Sequence, residues 1–146
     1  SAQGRYFNMR GEDISERCAC FDHFLRLANC PTIAIGDGGN EIGMGNISDA
    51  LSALSIIPSA TSCDELLLAD VSNWGALGLI AILGYWQQTD LLATLRPREI
   101  LAFLSAHGSV DGVSRENTLT EDSLPAATGE ALLQDLRKLS GFGEEI

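Results

Sequence analysis

Positive charge is what this sequence has least of. Nine lysines and arginines stand against twenty aspartates and glutamates, a formal charge of -11 over 146 residues. Such an exterior repels a nucleic-acid backbone or an anionic membrane surface, so the expected partners are small molecules or proteins, with no nucleic acid and no membrane. A small anionic substrate is still admissible, because a few arginines and backbone amides create a local positive site inside an acidic protein. Zinc-knuckle spacing is missing too: Cys18, Cys20, Cys30 and Cys63 contain no C-x-x-C pair. Residues two apart on a helix point about 200° from one another, and the apolar surroundings of all four predict buried thiols of a reducing compartment. The opening "SAQGRYFNMRGEDIS" has neither a basic start followed by an apolar run nor a transit-peptide pattern, so no export signal is expected. It also lacks an initiator Met, which points to a fragment or a processed product with room for a targeting segment upstream. The apolar run from Ala76 to Trp86 falls well short of the roughly 20 residues that cross a membrane.

What is present is a chain of one-domain size, 45% hydrophobic, able to bury a core. Residues 13–28 place Ile14, Cys18, Phe21, Phe24 or Leu25 and Ala28 on one stripe behind Asp13 or Ser15, which predicts a helix. Pro31 then opens the short apolar run Thr32 to Ile35, a buried-strand pattern. After a glycine-rich stretch, "NISDALSALS" has helical spacing behind an Asn46 cap. Residues 66–71, "LLLADV", predict a second buried strand, "SNWG" a polar break, and Ala76 to Trp86 a core helix. Pro97 starts a further helix that stops at Gly108. Residues 108–125 read as a short strand or turn and a polar loop, and the last helix is capped by Thr128 and closed by Gly141. The alternation predicts a single α/β domain over 1–146, a parallel sheet flanked by helices. Right-handed crossovers put both polar loops at the carboxyl ends of neighbouring strands, where such sheets bind ligands.

The stretch "TIAIGDGGNEIGMGN", residues 32–46, is the strongest chemical signal. It interleaves five glycines with Asp37, Asn40 and Glu41 and holds no Lys, Arg or His. A phosphate-gripping Walker loop ends in Gly-Lys-Ser/Thr, and a dinucleotide fingerprint has glycine at its sixth place where Glu41 stands, so both nucleotide readings fail. The bland alternative is a strand-to-helix turn whose glycines serve positive φ and close packing.

Four stretches in this order, "NMRG" leading to "DIS" near the start, "IGDGGNEIGMG", "DVSNWG" and "GSVDGV" near residue 110, resemble the C-terminal domain of D-glutamate cyclases. That family interconverts D-glutamate and 5-oxo-D-proline with loss of water. The likeness covers Arg5 to about Val113 well and the tail to Gly141 more loosely. The family domain is longer than this chain and the match is to its later half. The resemblance therefore implies an incomplete half of a larger α/β domain, completed by a preceding segment or another chain that adds strands and substrate ligands.

Ring closure of glutamate needs the ammonium deprotonated, the γ-carboxylate polarised and an oxygen protonated as it leaves. Asp37 and Glu41 are the expected acid and base, provided repulsion and burial raise one of them toward neutrality. The amides of Gly38, Gly39 and Asn40 are expected to hold a substrate carboxylate or the developing oxyanion, which would explain a loop without basic side chains. Asp70, Ser72 and Asn73 face the same edge as substrate-binding candidates, and Arg10 is a candidate carboxylate clamp. Trp74 is expected to pack, Asp111 to serve a turn, and His23 and His107 to stay out of the chemistry. Neither Ser62 nor Ser72 has a histidine partner that fits a hydrolase triad. No cofactor is expected. The alternative is magnesium or manganese on Asp37, Glu41 and Asp70, and a third class is a noncatalytic subunit marked by an open strand edge and apolar surface. The implied compartment is the cytoplasm of a bacterium or the mitochondrial matrix of a eukaryote.

Overall fold

The computed structural model describes residues 4–143. The chain forms two compact units, one running to Gly75 and the other starting at Ala76.

The first unit is built on two short parallel strands, β1 (Ile33–Gly36) and β2 (Glu65–Leu68), in register from Ile33 opposite Glu65 to Gly36 opposite Leu68. Both are apolar runs too short for a helix and bounded by proline, glycine or aspartate, and their parallel pairing is the predicted one. The crossover is more compact than predicted. A 3-10 turn, Gly45–Ile47, leads into one helical turn rather than a helix through residue 55. Asn46 does not cap it: its amide clamps the Cys63 backbone, donating to the carbonyl (2.9 Å) and accepting from the amide (3.0 Å).

The helix predicted over residues 13–28 is also broken. A 3-10 turn, Ser15–Arg17, precedes α1 (Asp22–Leu27), and the helical turn after Gly45 is then α2 (Ser48–Leu51). Asp13 Oδ1 accepts from Ser15 N (3.0 Å), and Ser15 Oγ accepts from Tyr6 N (2.9 Å), side-chain bonds that compete with helix propagation. The expected apolar stripe is not buried, with Phe21 57% and Phe24 70% exposed and Ile14, Cys18 and Leu25 half-buried. The cysteines share that setting. Cys20 and Cys30 are exposed and Cys18 and Cys63 half-buried, which corrects the expectation of buried thiols. A polar cluster around the buried Asp22 ties this region together: Tyr6 donates to Asp22 Oδ1, and Arg26 pairs with Asp22 at 3.6 Å. Burial and the Asp22 carboxylate push the Tyr6 hydroxyl up to about 12.

The polar break predicted at "SNWG" is instead the first turn of α3 (Ser72–Gln87). Its start packs on the sheet. Trp74 is buried as expected, and Gly75 approaches β1 so closely that a Cβ there would lie 2.5 Å from Ile35 Cγ2.

The second unit holds the rest of α3, α4 (Pro97–Ala106), a hairpin of β3 (Thr120–Glu121) and β4 (Leu124–Pro125), and α5 (Ala126–Leu139). Ala81, Leu92 and Leu133 form its core, with Leu77, Ile80, Leu95 and Leu136 against them. The core helix expected over Ala76 to Trp86 is buried on one side only: Ala81 packs in the core, while Tyr85 and Trp86 are exposed. Pro97 opens α4 and Gly108 and Gly141, both at positive φ, stand after α4 and α5, as predicted. By contrast α5 begins before Thr128, behind an extended Pro125 and without a side-chain cap. The hairpin turns through Asp122 and Ser123 with φ of 47° and 70°, the left-handed pair that suits a two-residue connection. Asp111 is buried and accepts from Val113 N, Ser114 N, Thr120 Oγ1 and Ser123 N at 2.7–2.9 Å, which holds its carboxyl well below the usual range. The fold class is thus mixed α/β, as predicted, with one two-stranded parallel sheet and one two-stranded antiparallel sheet among the described residues.

Candidate functional site

Asp37 to Gly45 leave the carboxyl end of β1 as a loop folded back on itself. Glu41 is its centre. The carboxylate accepts from the amide of Gly39 at 2.8 Å and from the amide of Gly38 at 3.2 and 3.3 Å. Side chains at 36 and 38 would crowd it: a Cβ on Gly36 would stand 3.3 Å from Oε2, and one on Gly38 3.0 Å from Oε1. The nearest obstacles are sulfurs, Met44 Sδ at position 36 and Met9 Sδ at position 38, so those glycines clear space for Met44 and Met9 as well as for Glu41. Gly43 has a different reason, since its φ of +98° favours glycine and a Cβ would meet the Ala34 Cβ at 2.3 Å.

Burial pushes the half-buried Glu41 carboxyl up, and the Asp37 carboxylate beside it pushes the same way, against the lowering effect of the Gly39 amide. Asp37 itself is exposed and reaches across the sheet end, where its Oδ2 accepts from Ser72 N at 2.6 Å. It caps α3 from another loop. The two polar loops predicted to share the carboxyl edge do meet there. Asp70 and Asn73 are exposed on either side of that contact.

Asn40 Nδ2 donates to the Phe7 carbonyl at 2.8 Å, which brings the amino-terminal segment onto the loop. Met9, half-exposed, comes as close to the Gly38 Cβ position as 2.8 Å. Arg10, the candidate clamp, is exposed on the adjoining turn, with its amide bonded to Asn8 Oδ1 at 3.0 Å.

Sequence reasoning missed the strap that braces the loop. Ser59 N donates to Gly39 O (2.9 Å), Gly43 N to Thr61 Oγ1 (3.2 Å), and Gly45 N to Thr61 O (2.8 Å). The only local signal is a Ser-Ala-Thr run after Pro58 and ahead of a strand. An open groove of about 610 Å³ lies at the opposite, amino end of the strands, lined in part by Asn29, Thr32, Cys63 and Asp64.

Among the described residues no group of three or more His, Cys, Asp or Glu side chains is arranged to hold a metal ion. His107 lies against Phe103 at the end of α4 with ring centroids 4.2 Å apart, and Asp111 is engaged by Val113, Ser114, Thr120 and Ser123. Among the described residues no helix is long and apolar enough to cross a membrane.

These features can be set beside known proteins. Human mitochondrial D-glutamate cyclase is 34% identical over 91 residues, which cover 57% of this chain. The match spans 15% of the human protein's length. A family model described as D-glutamate cyclase-like, C-terminal, matches residues 1–137. The chain belongs to the D-glutamate cyclase-like, C-terminal family.

Proposed function

We propose that this chain carries the acid-base loop of a hydro-lyase that interconverts D-glutamate and 5-oxo-D-proline plus water, with Glu41 as the proton carrier. The observation that carries the reading is a carboxyl raised by burial and by a neighbouring carboxylate, held at the carboxyl edge of a parallel sheet in a chain of this family. Ring closure is proton-neutral: the ammonium loses two protons, the amine nitrogen attacks the γ-carboxyl carbon, and the departing oxygen leaves as water. A single group that accepts a proton from nitrogen and returns it to oxygen suffices, and it works best when its pKa lies near the operating pH. Asp37 serves by keeping the Glu41 carboxyl raised and by fixing α3 through Ser72.

The amides of Gly38 and Gly39 enter differently from the sequence expectation. They hold Glu41 itself. A substrate carboxylate that takes over these donors releases Glu41 to act as base, so the same amides serve substrate binding by exchange. Asp70, Ser72, Asn73 and Arg10 complete the proposed rim. The proposed compartment is the bacterial cytoplasm or, in a eukaryote, the mitochondrial matrix, in keeping with the name of the human relative. The test is to incubate the longest native form with D-glutamate, L-glutamate and 5-oxoproline and to follow ring closure or opening by NMR. No interconversion of any of them sinks the assignment.

A second reading is favoured by one specific observation. Among the described residues the parallel sheet has two strands, with Leu68 57% and Ile33 50% exposed. Parallel sheets are normally covered on both faces and their open edges recruit further strands. In this reading the chain works as one half of a larger α/β unit, and its partner is polypeptide that adds strands to β1 or β2.

A further inference from the structure

The side-chain oxygen of Asn40 is buried and has no hydrogen-bond partner among the described residues. Its orientation is fixed by its neighbour. Nδ2 donates to the Phe7 carbonyl, which can only accept, so a flipped amide would set two acceptors against each other. Oδ1 therefore faces away from Phe7, toward Gly38: it lies 3.3 Å from the position of a Gly38 Cβ, and Glu41 Oε1 lies 3.0 Å from the same point. Two acceptor oxygens thus converge on one side of Gly38. Buried acceptors are nearly always paired, so this orphan calls for a donor that the described residues do not supply.

We propose that Asn40 Oδ1 is the acceptor for the nitrogen of the bound amino acid, the amine of glutamate before ring closure and the lactam N–H after it. This rests on the cyclase reading. The nitrogen keeps at least one N–H through the whole reaction, so one acceptor can hold it from start to finish. Neutrality matters as well. A carboxylate in this place would favour the ammonium and blunt the nucleophile, whereas an amide oxygen orients the nitrogen and leaves its extra protons free to go to Glu41. Met9 Sδ, on a flexible half-exposed side chain, is the group beside Gly38 that can swing aside to admit the ligand.

The test compares 5-oxoproline with its ring-oxygen analogue, the lactone in which O replaces N–H, by calorimetry on the wild-type chain and on Asn40→Ala. The wild type should prefer the lactam by at least about 10-fold, since the lactone leaves the buried acceptor unpaired. Asn40→Ala should lose that preference by weakening the lactam more than the lactone. A purely structural Asn40 would weaken both alike and leave the preference intact, which overturns the inference. Equal wild-type affinity for the two rings overturns it without any variant, and leaves the cyclase reading standing if glutamate is still converted. If the wild type neither binds either ring nor interconverts glutamate and 5-oxoproline, the cyclase reading falls and takes this inference with it.

Discussion

Glu41 owes its raised carboxyl first to burial and second to Asp37, and substitution separates the two causes. Asp37→Asn keeps an oxygen for the Ser72 amide but removes the charge beside Glu41. The Glu41 pKa should fall, and the acidic limb of the pH–rate profile should move to lower pH. Glu41→Gln should fold and lose at least about 10²-fold in turnover, the usual scale for one acid-base group. Its stability carries a second signature. Because the folded carboxyl titrates above the ordinary value of 4.5, the native state keeps its proton longer, and the stability this confers is lost as pH rises through the folded pKa. The melting temperature of wild type relative to Glu41→Gln should therefore decline as pH rises above 4.5. Asp111 has the opposite sign. Its carboxyl is depressed, so its stabilisation is present above 3.8 and lost on acidification. Asp111→Asn cannot serve all four donors and should cost about 2–4 kcal/mol at neutral pH, with the gap to wild type closing as pH falls below 3.8. A gap independent of pH would count against the carboxylate as the cause.

Among the elements, the glycine loop and α3 give contrasting expectations for the same substitution. Gly43→Ala puts a methyl group against Ala34 at a φ of +98° and should destabilise the first unit by at least about 2 kcal/mol. Gly78→Ala meets nothing within 4 Å in mid-helix and should stabilise by about 0.5–1 kcal/mol. Thermal melts of the two variants check both signs. The strands were legible in sequence because Thr32 to Ile35 and Leu66 to Leu68 are short apolar runs with clear stops. The helix over 13–28 was not, because its periodicity was real but Phe21 and Phe24 on its apolar face stay exposed, and a helix as short as α1 forms only with tertiary support. The start of α3 was misread as a break because its cap, Asp37, lies 35 positions away in the chain. In the candidate site, Glu41 and Asp37 were legible as a carboxylate pair, but their separate partners, the Gly38 and Gly39 amides for Glu41 and the Ser72 amide for Asp37, were not. The brace from Ser59 and Thr61 left almost no local trace.

For the whole molecule, the open edges of β1 and β2 bear on the second reading of function. If strands are missing, the isolated chain should bind a hydrophobic dye and run above its 15.6 kDa mass in size exclusion with mass detection, while the longest native form should bind little dye. A monodisperse monomer that ignores the dye would refute the need for added strands. The two units can also be followed apart, through the placement of the two tryptophans. Trp74 is 8% exposed at the carboxyl end of the first unit, and Trp86 is 73% exposed in the second. Fluorescence should therefore have a blue component from Trp74 and a red one from Trp86. Melting of the glycine-loop unit shifts only the former, so a Trp86→Phe chain is a single-reporter probe of whether the glycine loop is folded when an assay reads no turnover.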